Sequence, residues 1–467
     1  MKKLISIVVI IVLFFNFIFA YGNSGPVIMP SYPSSEMVTV EENSPIEVIN
    51  ENLTFDFSNV ETIYDTENSN VTAEYEMYNS ANETKTVKMA FPIIKSIGNF
   101  SEKDIIIKEN DNVLPFEIYI GDKVKSHRDI SEEEQVNIYD FNKIVSSINI
   151  EKYQPKNFSE NEIGKLYKIH AKPKLEGVNL AVDFNFDSKY TKVMIKGFNR
   201  FERDDSKIRI ASGFYKESEV LEIFALGKDL DLKINLYKDG SLTEKTDLLD
   251  YEITTEDIDV KTYLPDYVGN EEELNYKFND VQLYNIYTKA LDDVLLYNLG
   301  FCSEDMLTQE EYSNRIITLL YTVEFPENST KNVSVSYVAS GTMDRRETPN
   351  NPQYTYDYIL NPAKNWRNFK NLSIKIITPE VAPYIIKSTI ELKNEENNIY
   401  SATLSSLPDK DLSFTLYEKE KISILDRINY NSLYILGYLI MIFVIIIIVV
   451  VIVYKIITKI IAKLRSS

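Results

Sequence analysis

Twenty-two consecutive residues, Leu433 to Tyr454, carry no charge, and this run constrains the chain more than any other feature. At about 1.5 Å of rise per residue it reaches about 33 Å as a helix, enough to cross the hydrocarbon core of a bilayer. Tyr434, Tyr438 and Tyr454 stand where aromatic belts lie, and Lys455, Lys459, Lys463 and Arg465 follow with no acidic residue. The positive-inside rule then puts the C-terminus in the cytoplasm. A shorter apolar run, Ile7 to Phe15, sits behind Lys2 and Lys3 and ahead of the small residues Ala20 and Gly22, which is the pattern of a secretory signal. Cleavage is expected after Gly22, with Ala20 as the competing site and an uncleaved anchor as a third reading.

The layout expected from the two ends is a signal peptide over 1–22, a transmembrane helix over 433–454, a basic cytoplasmic tail over 455–467 and an exported body between. Gly437 is the one glycine in the span and no ionisable side chain enters it, so the span reads as a passive anchor. The tail is too short to fold by itself, so any signalling would pass through a partner. Its three lysines recur every fourth residue and share a helix face suited to anionic headgroups, each contributing about 1 kcal/mol near the surface.

The chain carries a net charge of −20, and removing Lys2, Lys3, Lys455, Lys459, Lys463 and Arg465 leaves about −26 on the exported part. Such a surface repels nucleic acid and anionic headgroups. With 44% hydrophobic and 12% aromatic residues there is ample material for packed cores. Cys302 is the single cysteine, so no intramolecular disulfide can form and stability must come from packing. That economy, with the Asn, Ile, Lys and Tyr enrichment, points to a bacterial source of Gram-positive type. Eight Asn-x-Ser/Thr triplets then read as products of Asn abundance.

Period-2 alternation dominates the exported part. Val71, Ala73, Tyr75 and Met77 are apolar against polar neighbours, Asn79 to Glu83 is turn-rich, and Val87, Met89 and Phe91 resume the pattern up to Pro92. This predicts a β-hairpin with one buried face. Asp104 to Lys108 and Leu114 to Ile120, joined through Asn110 and Asn112, predict a second. Further strands are expected at Leu53 to Phe57, Val178 to Phe186, Lys192 to Phe198, Lys207 to Ala211, Val220 to Ala225 and Leu230 to Tyr237. Tyr321, Val323 and Phe325, then Val333, Val335 and Tyr337, alternate around a turn at Asn328. Many short strands with turns between them describe β-sandwiches.

Two helices interrupt them. Ser131 with Glu134 makes a capping box ahead of Ile144 and Ile148, and Asn279 can cap a stripe of Val281, Tyr284, Tyr287, Leu291 and Val294 that ends at Gly300. The expected fold class is mainly β, with two β-sandwich-like extracellular regions, helical insertions and one C-terminal transmembrane helix. The regions are 23–250 with a helical insert near 131–149, a helical connector over 251–313, a second sandwich over 314–417 and a juxtamembrane linker over 418–432.

Asn23-Ser24-Gly25-Pro26, Tyr32-Pro33-Ser34-Ser35-Glu36, the Tyr75 to Asn79 strand running to Met89-Ala90-Phe91-Pro92, and Tyr358 to Ala363 leading to Trp366 and Phe369 resemble signal-bearing, C-terminally anchored surface proteins of clostridia and related Firmicutes. The resemblance covers the signal, both β regions and the anchor, and implies topology and source. It supplies no catalytic residue and no ligand. Over about 25 residues the first strand pair, ending in Phe91-Pro92, is also similar to the opening of vault/inter-alpha-trypsin-type β domains.

Three side chains stand out as ligand contacts. Trp366, the sole tryptophan, is either a ligand platform or a ring closing the second core where the chain enters the strand Leu372 to Ile376. Arg345 and Arg346 can hold an anion or form a solvated salt-bridge patch with Asp344 and Glu347. No catalytic or cofactor motif accompanies them. His127 and His170 are the two histidines, and HExxH, CxxC, Walker and GxGxxG patterns are absent. Cys302 lies beside Glu304 and Asp305, which disfavours a thiolate. The acidic turns at Asp229 and Asp231, at Glu256, Asp257 and Asp259, and at Glu271 to Glu273 have no calcium-loop pattern. No cofactor is expected. The sequence therefore points to a non-enzymatic protein that binds or scaffolds an envelope protein or polymer at the outer face of the membrane, held in the lipid bilayer by Leu433 to Tyr454. The competing class is an enzyme on envelope polymers, whose carboxylates would come from distant positions to meet in a cleft and which a pocket lined by two close carboxylates and aromatic residues would mark.

Overall fold

The computed structural model describes residues 26–41, 44–124, 141–148, 151–269 and 280–465. The signal segment, Ser131 and Glu134 of the expected capping box, His127, Asn279 and Glu271 to Glu273 lie outside the described residues. The protein is mainly β with helical insertions and one apolar C-terminal helix.

The alternating segments are strands with the faces expected of them. Across Asn68–Asn79 the side chains of Val71, Ala73, Tyr75 and Met77 are buried, and Val87, Met89 and Phe91 are buried along Lys85–Ser96. These two strands do not form a hairpin, however. Asn68–Asn79 pairs with Ile46–Asp56 and Thr330–Ser340, whereas Lys85–Ser96 pairs with Asn314–Phe325. The two strands thus belong to different sheets and face one another across the core. Asn314–Phe325 and Thr330–Ser340 make the matching pair of facing strands, with Asn328 at φ +47° in the turn between them. Alternation determines which face is buried, and both arrangements bury the same face.

The second expected hairpin forms only at its tip. Lys108 and Glu109 pair with Val113 and Asn112 around Asn110 at φ +51°. Beyond Pro115, which has no amide to donate, the chain crosses to the other sheet, where Glu117–Lys123 pairs with Asn314–Phe325.

These pairings replace the expected division into 23–250 and 314–417. Residues 26–124 and 314–417 interleave in eight-, six- and four-stranded sheets around one large core, for example through the parallel pairing of Phe369–Ile377 with Ile46–Asp56. The second β unit is made of residues 163–259 with Phe301–Ser303. Its five-stranded sheet, edged by Leu249–Asp259, packs on a four-stranded sheet over Ile169, Leu180, Val182, Ile210 and Leu221. Residues 251–259, expected in a helical connector, are thus the end of an edge strand.

Helix follows at Val260–Val268, where the Asp259 side chain accepts from the Thr262 amide at 2.9 Å, and again at Asp280–Tyr297. The latter buries Leu283, Ile286, Tyr287, Ala290, Leu291 and Leu295, a wider face than the expected stripe, and leaves Val281 36% exposed. The width follows from its position. It shares the large core both with the outer face of the five-stranded sheet, through Leu166, Met194, Phe224 and Leu226, and with the first β unit. Gly300 ends it at φ +75°, its amide donating to the Leu295 carbonyl at 2.9 Å.

Tyr430–Arg465 is a single helix, and Ile440–Lys459 within it is long and apolar enough to cross a membrane, with none of that stretch buried in the protein.

Candidate functional site

An open cleft of about 690 Å³ lies where the helix Asp280–Tyr297 meets the edge strand Glu117–Lys123, with the short helix Phe141–Ser147 and the segment 151–154 forming its other walls. The outer edge of that strand would otherwise expose unpaired backbone groups. Gln282 satisfies two of them: its Oε1 accepts from the Ile120 amide at 2.6 Å and its Nε2 donates to the Ile118 carbonyl at 2.7 Å. Gly121 lets the short helix come close, since a Cβ there would sit 3.0 Å from Ser147 Cβ and 3.1 Å from the Ile316 carbonyl oxygen. Ser147 in turn hydrogen-bonds Thr318 at 2.6 Å.

The opposite wall is tied down by Asp292. Its carboxylate accepts from the amides of Lys156 and Asn157 and from the Tyr153 hydroxyl. Burial alone would raise its pKa, but these donors outweigh burial and hold it below the usual carboxylate range. Asn285 accepts from the Tyr153 amide at 2.7 Å and fixes the near end of the same segment.

Lys123, Lys143, Lys152, Lys289 and Arg315 line the cleft, against Asp122 and Glu151. Ion pairs hold several of them in place: Lys289 with Asp122, Lys152 with Glu160, and Lys123 with Glu310. Arg315 is 6% exposed and stands opposite Lys123, beside a bulge of the partner strand at Gly121 and Asp122. Its Nη2 donates to Glu310 at 2.5 Å and its Nη1 to the Gly121 carbonyl at 3.4 Å, while its Nε is buried with no partner among the described residues. Burial pulls its pKa down and Glu310 opposes that. The sequence marked none of this constellation, because its members come from five separate segments and none is part of a motif.

A pair of acids lies elsewhere, sealed in the large core. Glu51 on Ile46–Asp56 stands opposite Tyr75 on the neighbouring strand, and Glu36, whose amide donates to the Ile359 carbonyl at 3.3 Å, comes from the facing six-stranded sheet. Both carboxyls are fully buried, and the Tyr75 hydroxyl donates to Glu36. Among the described residues, Glu36 Oε1, both oxygens of Glu51 and the hydroxyls of Tyr337 and Tyr358 are buried with no partner in hydrogen-bonding geometry. Desolvation pushes Glu36 up to about 7, and Glu51 rises well above the carboxylate range through desolvation and the charge of Glu36. Two close carboxyls among tyrosines meet half of the criterion for an enzyme, but they are closed to solvent and cannot meet a substrate.

The three sequence-derived contacts are scattered relative to the cleft. Trp366 is 4% exposed within the large core, its Nε1 donating to the Met37 carbonyl at 3.3 Å. Arg346 forks onto the Asp344 carboxylate at 2.6 and 3.0 Å. Arg345 lies over the Tyr64 ring, 5.5 Å from its centre. None of the three lines the cleft. Cys302 is buried, its thiol pushed up to about 12 by desolvation. Of the acidic turns, Asp229 pairs with Lys165, Glu256 pairs with Lys168, and Asp259 serves as the helix cap. Among the described residues no three His, Cys, Asp or Glu side chains converge as a metal centre would need.

No protein-family model matches the chain, and no curated protein matches it in sequence. Among solved structures it is similar to a candidate nutrient-binding protein of Legionella pneumophila, at 9% identity and a TM-score of 0.33, over 84% of this chain and 73% of that one. A second likeness is to a structure comprising the manganese lipoxygenase of Gaeumannomyces graminis and part of a zonadhesin of Komagataella pastoris. It has 10% identity and a TM-score of 0.12, over 44% of this chain and 93% of that one. At such scores neither likeness bears on what this chain binds or does.

Proposed function

We propose that the chain is an exported, single-pass membrane protein of the bacterial envelope whose ectodomain binds a small anionic ligand, or an anionic group of an envelope polymer, in the cleft beneath Arg315. The body stands outside the cytoplasmic membrane and the tail from Lys455 onward inside. One observation carries the binding reading: four lysines and Arg315 line one cleft in a chain of net charge −20. A carboxylate or phosphate group is the ligand chemistry that such a set of cations holds. Binding is favoured over hydrolysis because the close carboxyl pair is sealed in the core.

Calorimetric titration of the full-length protein with citrate, phosphate and glucuronate tests this. Saturable binding of at least one is expected, weakened at least tenfold by Lys143→Glu and by Lys289→Glu, both at exposed positions. No binding, or equal binding by the variants, would overturn the assignment of the cleft.

A further inference from the structure

The segment before the membrane helix is not a free tether. Extended, residues 418–432 would reach about 50 Å, but they are folded back onto the first β unit at several points. Asn351 Nδ2 donates to Glu418 at 2.7 Å, Asn350 Nδ2 donates to the Ile428 carbonyl at 2.7 Å, and Arg427 donates to Glu347 at 2.9 Å. Between these points the chain makes a closed turn. Asp426 accepts from the Ser423 amide at 2.8 Å and the Ser423 hydroxyl at 2.7 Å, pairs with Lys419, and is buried. The Ile428 amide donates to the Leu425 carbonyl at 3.2 Å.

This well-braced turn carries Ile424 at 81% and Leu425 at 66% exposure. Two large apolar side chains fixed on a turn by a buried carboxylate do not serve the core of the body. Their place in the chain identifies what covers them. Ile428 is held to the body, and the apolar helix opens at Tyr430, two residues on, a gap of about 7 Å at full extension. The turn is therefore tethered within a few residues of the helix that carries the span. The acids around it, Glu347, Glu418 and Asp426, are each paired with Lys387, Lys419 or Arg427, so the acidic charge that repels headgroups over the rest of the body is offset here.

We infer that the turn 423–428 is a membrane seat: Ile424 and Leu425 insert into the outer interfacial layer of the bilayer beside the helix and hold the first β unit against the lipid surface. The inference rests on reading Leu433 to Tyr454 as a membrane span, and its test separates the two. The full-length protein is reconstituted in phosphatidylcholine–phosphatidylglycerol nanodiscs with an environment-sensitive fluorophore at one introduced cysteine, the buried Cys302 being shielded from the label. The labelled variants are Leu425→Cys, Ile424→Cys, Val444→Cys within the span, and Tyr215→Cys on the second β unit, where Tyr215 is 73% exposed. Labels at 424 and 425 should emit to the blue of the label at 215 and lose at least half their intensity with a lipid bearing a nitroxide high on its acyl chain. The label at 215 should be unaffected.

If the label at 444 is quenched while those at 424 and 425 behave like the one at 215, the span stands and the seat is wrong. If the label at 444 is not quenched either, the membrane span itself falls and the seat falls with it.

Discussion

Replacing Glu51 by glutamine should stabilise the protein at pH 8 and leave it nearly unchanged at pH 5. In the fold, Glu51 and Glu36 face Tyr75, Tyr337 and Tyr358, with Asp411 further out, and no cation among the described residues is among the causes of their shifts. Ionising either acid therefore means placing charge where neither water nor a counter-ion relieves it. Glu36 moves from 4.5 in the open chain to about 7 in the fold, which makes its ionisation about 3 kcal/mol more costly once folded. Glu51 adds to this in the same direction.

The sign follows from proton counting. Between about pH 4.5 and 7 the folded state binds more protons at Glu36 than the unfolded chain does, so the stability linked to Glu36 is fully present below about pH 4.5 and is lost as pH rises through 7, and Glu51 acts in the same direction. A glutamine at 51 removes one acid, and its amide can donate to the Glu36 carboxylate. The expected gain is about 2 kcal/mol at pH 8 and within about 0.5 kcal/mol of zero at pH 5. Urea unfolding followed by circular dichroism at both pH values measures it. Parallel stability profiles for wild type and Glu51→Gln from pH 5 to pH 8 would refute the coupled pair.

Trp366→Ala should cost about 3 to 5 kcal/mol and lower surface abundance, and the native tryptophan emission should be blue-shifted, moving to the red on unfolding. Cys302 should resist alkylation in the native state, and Cys302→Ser should cost about 1 kcal/mol with no effect of reductant on the melting temperature. Protease added to wall-stripped cells should remove the body and leave a protected C-terminal fragment; an epitope at Ser467 accessible from outside would invert the topology.

The fold class was legible because burial along a strand is written locally. Each odd-numbered apolar residue from Val71 to Met77 and from Val87 to Phe91 is in the core where alternation puts it. Pairing is not local. Asn79 to Glu83 reads equally well as a hairpin turn and as a link between strands in facing sheets. What decides is the presence of Asn314–Phe325 and Thr330–Ser340, more than 200 residues later, whose backbone groups complete the two ladders. The sequence thus indicated strands correctly and grouped them wrongly, and residues 125–313, which part the two halves of the first β unit, were divided between neighbours instead of being read as an insertion.

The same locality governs the candidate site. Rare residue types draw attention in a sequence, and Trp366 and the Arg345-Arg346 pair were singled out for that reason. Their surroundings engage them internally, by a carbonyl, a carboxylate and a ring. Arg315 sits in a plain alternating stretch, and nothing nearby in sequence distinguishes it. It becomes unusual because it continues the inward positions of Ile317, Leu319 and Tyr321, opposite Lys123, and because Glu310 and the Gly121 carbonyl engage its terminal nitrogens while, among the described residues, Nε has no partner. Glu36 and Glu51 were missed for the opposite reason. In a chain with 70 acidic residues no single one invites notice, although Glu51 occupies an inward position between apolar Val48 and Leu53 and opposite Tyr75. An acid at an inward strand position was the available signal, and it would have identified a place in the core where packing and ionisation oppose each other.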